Sequence, residues 1–390
     1  MKKRKTKKQR VRGHLIRFDI FVIVMVVAYL MFCYSNIPFI AKWRTIYIET
    51  AMTTKTHQWL ATMFLPDDVV DEVMDRYYAQ LEKQKKLESK WNNEKADRNG
   101  PLTKDNFYTV YWELNSTSFK NYLKANKNLT ANGYDHILIE DFDQKLGLKT
   151  TSGDDVCVVN TANNLLIVKL SGSGYVGKLA IVKDPSQVFL GKSTNYGSMG
   201  QEIKGFCDSN NAIVGINASR FKDIGGHGSG GVVQGAMIID GVDYGNRPKK
   251  YGMKFVGMKQ DNRMYINNYD STTVSEYRWG IEGVPAFIVD GEKAIDVSMF
   301  MGLQPRTCIG QTKEGDMLLL ILEGRLPGYS VGATAVDCMD QLLKYKCYQA
   351  MNLDGGSSAI MVYNGQYITK SCSVSGRGRY VPDAILVKKR

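Results

Sequence analysis

Residues 20–33, IFVIVMVVAYLMFC, contain no charged side chain, and the apolar character continues more weakly through YSNIPFIA to Ala41. Roughly 20 such residues suffice for a helix to cross a bilayer. Residues 1–17 carry nine Lys or Arg and no acid, whereas only Lys42 and Arg44 follow closely. That asymmetry predicts a single span with its N-terminus in the cytoplasm and the rest of the chain outside. A cleaved signal peptide competes with this reading, but the run is long and no small-x-small site follows it. The expectation is a basic cytoplasmic tail at 1–17 and an uncleaved transmembrane helix at 18–41, at the cell membrane. The tail also explains the net charge of +12. Of 51 Lys and Arg, nine lie in it, leaving 42 against 39 acidic residues. A nearly neutral body argues against a nucleic-acid partner, and a basic run beside an apolar span suits the inner membrane face.

Beyond the span, residues 42–98 read as a helical stalk. Asp67 and Asp68 follow Pro66 as a helix start, and Val70, Val73, Met74, Tyr77, Tyr78 and Leu81 recur at helical spacing. A solvated helix or short coiled coil is expected. ADRNGPL at 96–102 breaks it, and the polar residues 99–154 read as linker or subdomain. Six cysteines lie outside the span, an even number that permits disulfides in an extracytoplasmic domain without specifying a pairing. No CxxC spacing or Cys/His cluster points to zinc.

From about residue 155 the texture changes. Short Val- and Ile-rich runs alternate with turn signals, among them Asp240-Gly241, Asp290-Gly291, Glu314-Gly315 and Asn364-Gly365. This is strand and hairpin chemistry. One clear helix, GATAVDCMDQLLKYKC, interrupts it. Residues 155–390 are therefore expected to form an α+β head, β-rich with a helix packed on a sheet.

Candidate chemistry lies at the strand ends of this head. In NLDGGSSAIM, Asp354, Gly355, Gly356, Ser357 and Ser358 separate two apolar segments by more than a two-residue hairpin needs, and three of the five carry side-chain oxygens. Glycines permit close backbone approach, and exposed N–H groups can hold an anion. MLLLIL at 317–322 reads as a fully buried strand ending in Glu323-Gly324-Arg325, where a carboxylate and a guanidinium are costly unless used or paired. Arg306 lies beside the strand just before it, and Asn217 ends another. Arginine suits phosphate or carboxylate because its planar fork grips two oxygens. Arg379 and the loop residue His227 are further candidates, with a surface cation and a solvated imidazole as the alternatives. Asp354 could hold a divalent cation, though no ligand cluster is visible.

PRTCIG, GDMLLLILEGR, GATAVDCMDQLLKYKCYQAMNLDGGSSAIM and GRGRYVPDAILV, in that order, resemble the phosphodiester glycosidase family. Members include an N-acetylglucosamine-1-phosphodiester α-N-acetylglucosaminidase and bacterial proteins labelled as exopolysaccharide-related. The resemblance covers roughly residues 155–390 and is most specific at Asn-Leu-Asp-Gly-Gly-Ser-Ser and Pro-Arg-Thr. It implies hydrolysis of sugar-1-phosphodiesters in a cell-surface polysaccharide, with Asp354 and Glu323 as base or electrostatic groups. Arg306, Arg325 and Arg379 would bind the phosphate, and Asn217, Ser357 and Ser358 sugar or phosphate oxygens. Two departures stand out. Glu323-Gly324-Arg325 replaces the usual Asp-Gly-Arg, and Asn217-Ala218-Ser219-Arg220-Phe221 replaces an Asn followed by Gly and an aromatic pair. The second favours the alternative of a non-catalytic glycan-binding or assembly module.

Overall fold

The computed structural model describes residues 7–54, 56–91, 100–223, 228–246, 253–283, 285–296 and 299–390. It divides into two units, residues 1–77 with 300–302, and residues 78–299 with 303–390.

In the first unit, the apolar run forms the C-terminal half of the helix Lys7–Tyr34. Pro38–Met52, Trp59–Thr62 and a helix beginning at Asp67 follow. The periodic stripe Val70, Val73 and Met74 is not a solvated face. It is buried with Ile48, Ala51, Ala61 and Cys33. An apolar stripe at helical spacing requires a partner, and the return of Pro38–Met52 supplies it.

The second unit is α+β. Its largest sheet runs Leu138–Glu140, Asp155–Asn160, Leu165–Gly172, Tyr175–Val182, Met317–Leu322, Arg306–Thr312, Cys347–Asn352, Ala286–Val289 and Glu292–Lys293, with every neighbouring pair antiparallel. A second sheet is centred on Lys254–Lys259 and Tyr277–Gly283, and a third on Ala212–Asn217 and Asp383–Lys388. All three contribute to one core, where Met317, Leu319 and Ile321 meet Ile216, Ile385, Val256 and Trp279. Alternate residues of a strand face opposite ways. The other face of the large sheet is covered by Ala335–Lys344, whose Cys338 meets Cys308. Met317–Leu322 is thus buried on both faces, which explains its unbroken apolar sequence. Thr334 and Asp337 form a capping box at the start of the covering helix.

The turn signals act as their chemistry requires. Asp240-Gly241, Asp290-Gly291 and Asn364-Gly365 each place two consecutive residues at positive φ, the pattern of tight hairpins. All seven cysteines are free thiols. Sequence reading misses the helix Ile203–Ser209, which is only seven residues long and contains a glycine.

Residues 100–154 are integral to the head. They hold the helix Ser116–Ala125 and the edge strand Leu138–Glu140. A cluster around Phe107, stacked on Tyr111 and Phe119 at 5.2 and 5.4 Å, forms their core. A buried triad ties them to the sheet: Lys183 Nζ lies 2.6 Å from Glu113 Oε1 and 3.0 Å from Asp316 Oδ2. One ammonium faces two carboxylates, and burial raises the Glu113 pKa against the pull of Lys183. Removing the cation would take from both buried acids the counterion they share. Lys183→Met is therefore expected to destabilise the head by about 3–5 kcal/mol, read from urea unfolding. A loss below ~1 kcal/mol, the scale of an exposed pair, would show that the triad does not hold this segment.

Candidate functional site

Antiparallel register brings several candidates to one end of the large sheet. Arg306 pairs with Leu322, so Glu323 and Arg325 lie just beyond it. Cys308 pairs with Asn352, which sets Asp354 and its glycines beside Pro305 and Arg306. Gly356 N donates to Pro305 O at 3.0 Å, and Leu353 N to Thr307 O at 2.9 Å.

Asn217, from the third sheet, locks this end. Its side chain is fully buried. Nδ2 donates to Asp354 O at 2.5 Å, while Oδ1 accepts from Thr307 Oγ1 at 2.8 Å and from Ile360 N at 3.3 Å. Asp354 N in turn donates to Ala218 O at 3.1 Å. The amide expected to bind sugar oxygens is thus occupied in holding the loop, and its place is behind Asp354.

The glycines of this loop make room for the protein itself. A Cβ on Gly355 would come within 2.6 Å of Pro305 O. Gly356 has φ +61°, and a Cβ there would lie 3.3 Å from Arg325 Nη1. The Arg325 guanidinium therefore rests against the loop. Arg325 itself has φ +56°, a left-handed conformation rare for a residue with a side chain. Its pKa is lowered, chiefly by desolvation and further by the Arg306 guanidinium, while the Cys372 thiol acts the other way. Arg306 is buried and its Nε donates to Ala333 O at 3.1 Å. Two guanidinium groups thus act on one another beside the half-buried Asp354. Ser357 is also half-buried, its carbonyl accepting from Ser371 Oγ at 2.7 Å. Ser358 is buried, its N donating to Gly355 O at 3.2 Å.

Glu323 and Arg325 do not form the ion pair that their spacing allows among the described residues. Glu323 is buried, and its Oε2 has no hydrogen-bond partner among the described residues. Burial raises its pKa, opposed by Lys370, Lys178 and Tyr329. Tyr329 is pushed up to about 12 by burial and by the Glu323 carboxylate, and Lys370 Nζ sits 4.2 Å from the centre of its ring. Arg379 is committed elsewhere. It makes a forked ion pair with Asp223, at 2.6 and 3.0 Å, donates to Gly228 O at 3.1 Å, and stacks on Phe221. Its pKa is raised, first by the hydrogen bond to Asp223 and also by Asp354. His227 lies outside the described residues. Among the described residues no group of three or more His, Cys, Asp or Glu side chains is placed to hold a metal ion.

The structure adds an acid that the sequence reading passed over. Asp383, the first residue of Asp383–Lys388, is fully buried. Its carboxylate accepts from Ser219 N at 2.9 Å and Ser219 Oγ at 2.5 Å. Burial, with help from the Asp354 charge, pushes its pKa up to about 6. The signal was present, because VPDAILV opens a buried strand with an acid just as MLLLIL closes one. It also gives the departure at Asn217-Ala218-Ser219 a physical role: the serine supplies both donors that Asp383 uses.

Residues 210–388 match the family model described as phosphodiester glycosidase. The matched segment, a little under half of the chain, is similar to that family. That family is one of hydrolases, and the match supports a glycosidase-type function at the level of the family. Among solved structures, the chain is similar to the catalytic domain of zebrafish N-acetylglucosamine-1-phosphodiester alpha-N-acetylglucosaminidase, auto-inhibited by its pro-peptide. Identity is 19%, over 58% of this chain and 83% of that one, with a TM-score of 0.47. It is also similar to a hypothetical protein from Synechocystis, with 15% identity over 60% of this chain and 64% of that one and a TM-score of 0.42. No curated protein gives a significant match.

The Asp383 carboxyl has a measurable consequence. Its folded-state pKa exceeds the ordinary carboxylate value, so the folded protein holds the proton more tightly than the unfolded chain. Its contribution to stability is full below about pH 4 and falls as pH rises through about 6. In Asp383→Asn, the drop in melting temperature from pH 4 to 6.5 is expected to shrink relative to the parent. An unchanged drop would show that this carboxyl does not titrate there.

Proposed function

We propose that the head hydrolyses a sugar-1-phosphodiester, of the N-acetylglucosamine-1-phosphodiester type, in a surface or exopolysaccharide glycan. The observation that carries this reading is the Arg325 guanidinium lying against Gly356, desolvated and repelled by Arg306, beside the half-buried Asp354. A phosphodiester anion relieves both the desolvation and the like-charge cost, and arginine grips it through two oxygens. The family match narrows the reaction from anion binding to glycosidic cleavage.

In this reading Arg325 and Arg306 bind the phosphate. The phosphate leaves well, so cleavage of the bond from the anomeric carbon needs little proton donation. Water attacks that carbon, the bonding pair leaves with the phosphate oxygen, and the water's proton passes to a carboxylate. Asp354, half-buried beside the loop that Arg325 rests against, takes the carboxylate role. Asn217 holds the Asp354 backbone, and Asp383 with Ser219 braces the strand beside it. The helix Arg12–Tyr34 is long and apolar enough to span a membrane. In this proposal it remains as an anchor with the N-terminus inside and the head outside.

The test is release of free sugar from the methyl phosphodiester of α-N-acetylglucosamine-1-phosphate, followed by NMR. Asp354→Asn is expected to lower kcat by at least about 100-fold, the scale of general-base loss, with little change in melting temperature. Arg325→Met is expected to raise KM as well. Full turnover in Asp354→Asn would remove that residue from the mechanism. If the parent binds the compound without releasing sugar, and Asp354→Asn still binds, the head is a glycan-binding module instead.

A further inference from the structure

The first unit carries a surface that the head chemistry does not account for. After the turn at Ser35-Asn36-Ile37, Pro38–Met52 folds back, and Arg44 Nη1 donates to Phe32 O at 3.2 Å and Ser35 O at 3.0 Å. These carbonyls belong to the end of the first helix, where a cation also meets the negative pole of the helix. Tyr47 OH donates to Leu60 O at 2.5 Å, and Tyr29 OH to Phe64 O at 3.2 Å. With Cys33 buried among Ile48, Ala51 and Ala61, the short helices form a collar around the last turns of Lys7–Tyr34.

Two charges are buried in this collar, and much of what it exposes is large and apolar. Arg44 and Glu49 are buried. Ile37, Phe39, Trp43, Trp59, Met63 and Phe64 are between 45% and 72% exposed. They gather in two patches, with Phe39 against Trp43 at 6.4 Å and Trp59 against Phe64 at 6.3 Å. Depth follows from the Tyr29 hydrogen bond. Tyr29 lies five residues before the helix end at Tyr34, about 7.5 Å along the axis at 1.5 Å per residue. Phe64 is bonded at that level, inside the apolar span. If the span crosses a bilayer, the collar must share its depth.

We propose that the collar is a lipid-binding surface seated in the outer headgroup–acyl boundary of the bilayer. The inference rests on the helix being an uncleaved span. Amphipathic elements at such boundaries bury an apolar face ~5–10 Å deep, which fits the level of Phe64. Tryptophan and other aromatic residues concentrate there because one ring satisfies both the apolar and the wet side. The exposed Lys42, whose ammonium lies 5.7 Å from the Phe300 ring centre, is placed at the rim to meet phosphate headgroups.

The span contains no tryptophan, and Trp91, Trp112 and Trp279 all belong to the second unit. The part of the lipid-dependent quenching that is lost when both are replaced therefore reports Trp43 and Trp59. Full-length protein is placed in phosphatidylcholine nanodiscs with acyl chains brominated near the carbonyl end. Tryptophan fluorescence is expected to be quenched relative to unbrominated lipid, and the quenching to fall at least twofold in Trp43→Phe/Trp59→Phe. Both residues are exposed, so the double variant should keep its melting temperature. A chain that stays in the nanodisc yet shows no quenching, or equal quenching in the double variant, overturns the collar. A chain released from vesicles by alkaline carbonate overturns the anchor and, with it, this inference. Neither result bears on sugar release by the head.

Discussion

The site end of the head depends on one buried amide. Asn217 spends both ends of its side chain inside the protein, donating to the Asp354 carbonyl and accepting from Thr307 and Ile360. Two of those bonds join a strand of the third sheet to Arg306–Thr312 of the large one and to the loop that leaves its neighbour Cys347–Asn352, and the third holds the residue before Met361–Tyr363 of the third sheet itself. A buried amide of this kind is costly unless fully satisfied, so its geometry leaves little freedom. Asp354, two glycines and the Arg325 guanidinium are then placed by register: Arg306 opposite Leu322, Cys308 opposite Asn352.

Around that clip the head concentrates ionisable groups where water is scarce. Glu323, Asp383 and Glu113 are each pushed towards their neutral forms by burial. They differ in what meets them. Glu113 faces an ammonium and serves the fold. Asp383 is answered by the backbone and hydroxyl of Ser219. Glu323 keeps one oxygen without a hydrogen bond among the described residues. The arginines divide in the same way. Arg379 is spent on Asp223, whereas Arg325 meets another guanidinium and a thiol. Sequence position alone does not separate these cases, because the partners come from segments tens to hundreds of residues away.

Much of the fold was legible because local chemistry forces it. A charge-free run of helical length, Asp-Gly and Asn-Gly pairs that accept positive φ, and a strand apolar at every position each admit few conformations. The covering helix was readable from its 3.6-residue periodicity. The parts that were not legible share a cause. Residues 100–154 have weak periodicity, and their order comes from an aromatic cluster within the segment and from the distant Lys183. The apolar stripe at 70–74 announced a buried face without naming what buries it.

The sequence by itself determined the anchor-like first helix, the β-rich head, and the kinds of residue gathered at strand ends. Hydrophobicity, turn propensity and charge are properties of short segments and need no partner to be read. Tertiary structure decided which of those residues meet. It engaged Asn217 and Arg379 in internal bonds, formed no ion pair between Glu323 and Arg325, and brought in Asp383. Hydrogen-bond and ion-pair geometry is fixed over ångströms, and only the register of three sheets sets distances on that scale.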